Sequence, residues 1–445
     1  MSWEKVRLSE LYTVHNGLSK GRQFFGSGFP FLSFSTVFNN YFIPAELPDL
    51  VQSTEKEQQD YSICRGDVFV TRTSETSDEL GMSCVALKDY PGATYNGFAK
   101  RMRPIDPKRV LPEYIGYYMR MPSFRGKFQA FSTMTTRASL RNEDLLGLEV
   151  VLPPMETQRK IADILSAYDH LIENNQKQIK LLEEAAQRLY KEWFVNLRFP
   201  RYENTPIIDG VPQGWRKERL VDIADVQYGF AFDGSLFNSE GNGMPIIRIR
   251  NIPDGITKDY TTEEAEEQYI VKNGDIVVGM DGEFHINSWC GPDSYLVQRT
   301  CRIKPHNESM KGYMLQAIYE PIKFFESTVV GATVAHLGKK HIDTITIFTA
   351  PEEMYKPFQQ YFNKRQLLLN QNQRLAEARD RLLPKLMSGE FDFAKGSKAK
   401  ILQVPQKLSY DEFLSELGMA ARAKSISDAD LRAMYEAYLD DDATE

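Results

Sequence analysis

Between Met155 and about Phe194, apolar or small residues recur at Ile161, Leu165, Tyr168, Ile172, Ile179, Leu182, Ala186, Leu189 and Trp193, in steps of four and three, with Asn175 the polar interruption. A 3.5-residue period sustained this long predicts one helix paired along a narrow stripe. At 1.5 Å per residue, about 40 helical residues reach roughly 60 Å, longer than a compact domain needs, so the helix reads as a strut. The same rhythm returns 193 residues later at Met354, Phe358, Tyr361, Arg365, Leu368, Asn372, Leu375, Arg379, Leu382 and Leu386. Each helix follows a strand-like run that stops at proline, LEVVLPP ending at Pro154 and ITIFTAP ending at Pro351. Proline fits a first helical turn, where its missing N–H would be unpaired anyway.

Two struts imply two matching halves, and the rest of the chain repeats accordingly. Trp3, Lys5, Arg7, Leu8, Leu11, Val14 and Gly17 align with Trp215, Lys217, Arg219, Leu220, Ile223, Val226 and Gly229 at a constant offset of 212. Each copy then has a Gly-Asp turn feeding a β-branched strand (Asp67, Asp275), a strand ending in a basic residue and proline (Arg103-Pro104, Lys304-Pro305), a helical segment, and a polar loop before the strand that precedes the strut. By that last loop the offset has fallen to 197, so the copies share a frame and differ in their loops. The organisation expected is a first globular domain at 1–152, a first long helix at 153–197, a linker at 198–214, a second globular domain at 215–350, a second long helix at 351–388 and an acidic tail at 389–445. Pro384 is expected to end or kink the second helix. Two short amphipathic patterns, YDEFLSELGMAARA and SDADLRAMYEAYL, predict helices in the tail.

Length supports several domains, and the 42% apolar and 26% charged content is that of an ordinary globular protein. No run of eighteen apolar residues and no apolar leader region is present, and Cys64, Cys84, Cys290 and Cys301 are scattered without CxxC spacing. The expectation is a cytoplasmic protein with reduced thiols and no membrane association. The net charge of −7 argues against nucleic acid only on average, because from Gly396 onward the tail alone carries −4. Binding to DNA would require local basic patches or basic partner chains.

Catalytic motifs are absent: the chain has no GxGxxG, Walker A, HExxH, GxSxG or paired CxxC, nor the Asn-Pro-Pro-aromatic string of amino-methyltransferases. His336 and His341 lie in a lysine-containing loop and read as surface or DNA-facing residues, not as metal ligands. Asp281, Glu283 and His285 mimic an acid-base cluster, but the first copy puts Arg72, Thr73 and Ser74 in the corresponding place, and catalytic residues would not change chemical type between repeats. Asn175 and Asn372 would fix register in the helical seam, while Arg365 and Arg379 would face an acidic residue of a partner chain or solvent.

The assembled pattern resembles the specificity subunit of type I restriction-modification enzymes. The residues that carry the resemblance are LPPMETQRKIADIL at 152–165, IKLLEEAAQRLYKEWF at 179–194, LPKLMSGEF at 383–391, the turns at Asp67 and Asp275, and GATVAHLGKKHI at 331–342. It covers residues 1–393 and not the tail, and the order of the motifs, occurring twice, is what makes it specific. It implies an α+β fold: two similar α/β target-recognition domains, related by a pseudo-two-fold internal repeat and separated by two long antiparallel coiled-coil helices. The helix seam would be Ile161, Leu165, Tyr168, Ile172, Asn175, Ile179, Leu182 and Leu189 against Phe358, Tyr361, Leu368, Asn372, Leu375 and Leu382. It further implies a non-catalytic chain on double-stranded DNA with two modification subunits that use S-adenosylmethionine to methylate adenine, and restriction subunits that use ATP and magnesium. No cofactor or metal is expected on this chain. Two domains related in this way would read a bipartite, asymmetric target with unread bases between its halves. A protein-bridging scaffold and a self-contained DNA-modifying enzyme are the alternatives.

Loop residues matching base edges give the candidate readers. They are Ser35, Thr36, Arg72, Thr73, Ser74, Thr136 and Arg137 in the first copy, and Arg248, Arg250, Asn251, Asp281, Glu283, Thr333, His336, Lys339 and Lys340 in the second. Phosphate contact or plain surface is an equally good reading for each, and fewer than half are expected to touch DNA.

Overall fold

The computed structural model describes residues 3–74, 80–129, 138–328 and 336–389; the expected tail helices lie outside them. The chain forms two compact units, one built from residues up to His170 together with those from Leu375, the other from Leu171–Arg374. Each unit therefore combines one globular copy with parts of both long helices. Those helices are Met155–Tyr190, continued by a π-turn at Lys191–Val195, and Lys356–Met387, which follows a 3-10 turn at Glu352–Met354. Among the described residues no helix is long and apolar enough to cross a membrane.

Within the first unit, Ile161 and Leu165 are fully buried and share a core with Leu383, Leu386 and Met387. Within the second, Ile179, Leu182 and Leu189 share a core with Phe358, Tyr361 and Leu368. Tyr168, Ile172, Asn372, Leu375 and Leu382 are half-buried. The pairing is antiparallel, since partner numbers fall as helix numbers rise: Asp169 pairs with Arg379 in the first unit, and Asn175 with Asn372 and Glu183 with Arg365 in the second. The seam asparagines satisfy each other, Asn175 Nδ2 donating to Asn372 Oδ1 at 2.9 Å.

Two expectations change here. Arg365 and Arg379 face acidic residues of the other long helix in this same chain, neither a partner chain nor solvent. The second helix also runs through Pro384 to Met387, because a proline in the last turn forfeits little backbone bonding while Leu386 and Met387 beyond it are buried. Ser388 N–H returns to the Pro384 carbonyl at 2.9 Å, and Gly389 ends the helix at φ +79° with its open face toward Trp3. Trp215, the repeat of Trp3, packs on Phe194 and Phe199 at the end of the first long helix, with ring centroids 4.8 and 4.6 Å away.

The globular copies share one plan. In the first, a four-stranded antiparallel sheet runs in the order Tyr12–Asn16, Ala99–Pro104, Val68–Thr71, Ser83–Val85; in the second, Ala224–Tyr228, Thr300–Pro305, Ile276–Gly279, Ile286–Ser288. A mixed sheet accompanies each and contains one parallel pair, Phe31 and Leu32 beside Thr94 and Tyr95, or Ile246 and Ile247 beside Tyr295 and Leu296. The two ends of each copy are stitched together by an antiparallel strand pair, Glu4–Arg7 with Glu149–Leu152 and Arg216–Arg219 with Thr346–Thr349. The repeated Gly-Asp turn has a local cause. Asp67 accepts from the Cys64 N–H at 2.8 Å and Asp275 from the Lys272 N–H at 2.9 Å, each closing its own turn ahead of a buried strand.

Candidate nucleic-acid interface

In both copies the residue that leaves the buried central strand is held from two sides by main-chain hydrogen bonds. Arg72 N–H donates to Phe98 O at 2.9 Å while Leu140 N–H donates to Arg72 O at 2.8 Å. The second copy repeats this at Met280, whose N–H donates to Arg299 O at 2.8 Å and whose carbonyl accepts from Leu337 N–H at 2.7 Å. The chain then crosses toward the closing loop, Thr73–Ser74 pairing with Ala138–Ser139 and Asp281 bridging to His336.

The turn that supplies Phe98 or Arg299 is fixed by the repeated glycine. A Cβ on Gly17 would lie 2.1 Å from Asn96 O, and one on Gly229 would lie 2.0 Å from Val297 O, so only glycine admits the approach. Main-chain bonds seal it: Gly17 N–H to Ala99 O at 3.2 Å and Leu18 N–H to Tyr95 O at 2.8 Å, matched by Gly229 N–H to Thr300 O at 3.0 Å and Phe230 N–H to Leu296 O at 2.8 Å.

On this frame the first-copy candidates separate. Ser35 is exposed on the short helix Phe34–Asn39, which packs on the central strand. Thr36 is buried, its hydroxyl 3.0 Å from that of the N-cap Ser33, whose Oγ also accepts the Thr36 N–H at 3.3 Å, so little of its side chain is presented outward. Arg72 is half-buried, and its Nε has no hydrogen-bond partner among the described residues. Beside it Lys100 is buried and, among the described residues, has no carboxylate partner, donating to Asn16 and Asn142; burial first, then the Arg72 charge, pulls its pKa below the usual lysine range. Thr73 and Ser74 form their two-residue strand, and Thr136 and Arg137 lie outside the described residues.

In the second copy Arg248, Arg250 and Asn251 sit on a 3-10 turn that follows the strand Met244–Ile247. Arg250 is held by Asp259 at 2.6 Å, Asn251 Nδ2 donates to the same carboxylate at 3.2 Å, and Arg248 lies over the Phe237 ring at 5.7 Å. Ile249 of this turn lies beside Gly279, where an added Cβ would be 3.2 Å from it. Asp281 and His336 come together, Oδ1 to Nδ1 at 2.5 Å. Glu283 is exposed and 3.7 Å from His285. Lys339 pairs with Asp343 at 3.0 Å, and Lys340 is exposed. Thr333 lies outside the described residues.

Three residues of this region are not among the sequence candidates: Lys100, Phe98 and Arg299. The last joins the Asp281–His336 pair, with Nη1 3.1 Å from Asp281 Oδ2 and 3.4 Å from His336 Nδ1. Their signal is in the repeat itself, since aligning AKRMRP with TCRIKP puts Phe98 opposite Arg299. Charged and amide groups on loops, over rigid sheets, suit hydrogen bonding to a polar partner; no nucleophile with an adjacent base appears among them. Among the described residues no His, Cys, Asp or Glu group is arranged to hold a metal. All four cysteines are free, and burial pushes the Cys84 and Cys301 thiols up to about 12.

The sequence matches the family described as type I restriction modification DNA specificity domain over residues 1–184 and again over 212–376. It is similar to the type I restriction enzyme MjaIX specificity subunit of Methanocaldococcus jannaschii, 26% identical over 412 residues that cover 87% of this chain and 93% of that one. It is also similar to the HindI specificity subunit of Haemophilus influenzae, 22% identical over 438 residues, 81% of this chain and 94% of that one. Its fold matches the crystal structure of the type I restriction-modification system S subunit from M. genitalium with a TM-score of 0.50 at 15% identity, over 87% of this chain and 96% of the other.

Proposed function

This chain belongs to the type I restriction-modification DNA specificity family, in which it is a non-catalytic specificity subunit, and from that premise we propose that it reads a bipartite, asymmetric DNA target, one globular copy per half-site. The observation that carries the reading is that the two copies share their backbone frame, while the residues at its outer positions differ in chemistry, Thr73 against Asp281 and Phe98 against Arg299. Equal frames favour equal docking on the duplex; unequal tips favour unequal sequences. The paired helices act as the spacer between half-sites and as the docking surface for two modification subunits. Those subunits bring S-adenosylmethionine and methylate adenine, and restriction subunits bring ATP- and magnesium-dependent translocation and cleavage. The complex works in the cytoplasm, where it meets double-stranded DNA. Phosphate charge is met by local cations such as Lys340 and by the partner chains, which reconciles DNA binding with the net charge of −7.

The test is methylation mapping with the chain reconstituted with modification subunits. Modified adenines should fall in two short motifs separated by a fixed number of unspecified bases, and the chain alone should transfer no methyl group. One uninterrupted motif, or methyl transfer by the isolated chain, overturns the reading.

A further inference from the structure

The geometry points to the outward residue of one turn, Arg299 in the second copy and Phe98 in the first, as a base-reading position, with Arg299 recognising guanine and Phe98 an apolar base edge. This rests on the DNA-reading function proposed above and names where part of the specificity is held.

The two copies act as an internal control. Around this turn their main chains make the same three sets of hydrogen bonds and exclude a side chain at the same glycine. Natural variation is thereby confined to what the turn displays. Phe98 is 56% exposed and the Arg299 side chain 56% exposed, so neither is retained for packing. One copy displays an aromatic ring and the other a cation at matching positions of that hydrogen-bond frame, with Arg299 alone of the two in left-handed backbone, as expected of a position selected for what it meets outside the protein.

Arg299 is also held in a conformation that folding alone does not favour. Its φ of +70° is left-handed backbone, uncommon for a residue with a long side chain and retained when the surroundings impose it. The guanidinium is then aimed: Asp281 engages Nη1 at 3.1 Å, with His336 3.4 Å away. A guanidinium braced through Nη1 has its Nε and Nη2 donors without a partner among the described residues, in the fixed fork that matches O6 and N7 of guanine in the major groove. The brace also argues against a phosphate as ligand. Asp281 sits against the cation and exposed Glu283 lies two residues on, so the cluster offers little net positive charge to an anion but suits a neutral acceptor edge. Phe98 has no donor to offer and presents an aromatic face and edge, which fits contact with a thymine methyl group.

The experiment compares wild type with Arg299→Gly and Arg299→Lys in the reconstituted methylation complex, using a DNA library randomised through both half-sites. Glycine adopts the left-handed backbone without strain, so Arg299→Gly removes the side chain while favouring the turn; a thermal melt of each variant checks the fold. Both variants should lose about tenfold to a hundredfold in discrimination at one guanine of a single half-site, with every other position retained. Lysine fails along with glycine because it lacks the planar fork, whereas a phosphate contact would survive the lysine. Phe98→Ala should relax one position of the opposite half-site. Uniform weakening on all sequences, rescue by lysine, or unchanged preferences would overturn the assignment. A wild-type complex that reads no two-part site would instead remove the broader function, which keeps the two failures distinct.

Discussion

Arg365 is the connection most open to direct measurement. It is 9% exposed and spends its guanidinium on three partners in the second unit: Glu183 of the first long helix at 2.5 Å, Ser288 Oγ at 2.6 Å and Asn287 Oδ1 at 2.7 Å. It thus ties the helix pair to the sheet strand Ile286–Ser288. Replacing it with methionine keeps most of the stem and removes the charge. Hydrogen bonds to charged groups contribute about 1.5–3 kcal/mol each, but the sum does not apply here. Ser288 Oγ keeps Gln366 at 2.9 Å, Asn287 Oδ1 keeps the Ser288 N–H at 2.9 Å, and the cost of burying the guanidinium is recovered. The expected loss is about 2 kcal/mol. The Glu183 side chain is 41% exposed, so solvent screens its share and Glu183→Gln should cost under about 1 kcal/mol. For a unit of this size, roughly 2–4 °C of Tm follows each kcal/mol, giving a fall of about 4–8 °C for Arg365→Met in a thermal melt of the full chain. If Glu183→Gln costs as much as Arg365→Met, the helix-to-helix ion pair is the main connection and the assignment to the sheet is wrong.

Other expectations follow from the same reasoning. Leucine at Asn175 or Asn372 alone strands the other amide and should cost about 1–3 kcal/mol, while leucine at both should restore stability, as a double-mutant melting cycle would report. Gly229→Ala drives a Cβ to 2.0 Å from Val297 O and should cost about 1–3 kcal/mol, with altered preference in one half-site of the methylation map. At pH 8, iodoacetamide should label half-exposed Cys64 first in the native chain. Cys84 and Cys301, pushed up to about 12, and Cys290, pushed up to about 11, carry almost no thiolate there, and unfolding should release all four, which peptide mass spectrometry would show. A heptad inserted in both long helices, beside Asn175 and beside Asn372, adds roughly 10 Å and should lengthen the unread spacer by about three base pairs with both half-sites unchanged; methylation mapping that finds altered half-sites and the old gap would refute it.

The seam was legible because a coiled-coil stripe writes its period into the sequence, and buried Ile161, Leu165, Ile179 and Leu182 follow it. The frame of each copy was legible because it occurs twice; the repeated Gly17 and Gly229 marked a shared constraint, although only coordinates identify the carbonyl that imposes it. Partners distant in sequence stayed hidden. Arg379 meets Asp169 across 210 positions, and no local pattern announces that pairing. The burial of Thr36 was not legible, because a threonine suits both a base contact and a hydrogen bond to a neighbouring cap residue such as Ser33. Phe98 and Arg299 belong to no motif; the repeat sets them opposite each other in sequence, but their exposure and their shared main-chain hydrogen bonds are visible only in the fold.

That Leu383, Leu386 and Met387 complete the core around Ile161 and Leu165 has a consequence for synthesis. Translation at about 5–20 residues per second delivers those side chains roughly 11–44 s after Ile161. Until then the amino-terminal core stands open on one side, its greasy flank bare to chaperones and to neighbouring nascent chains. The half made first is therefore finished last, and a chain cut between Arg374 and Leu383 would open the first unit's core while keeping residues 171–374 of the second.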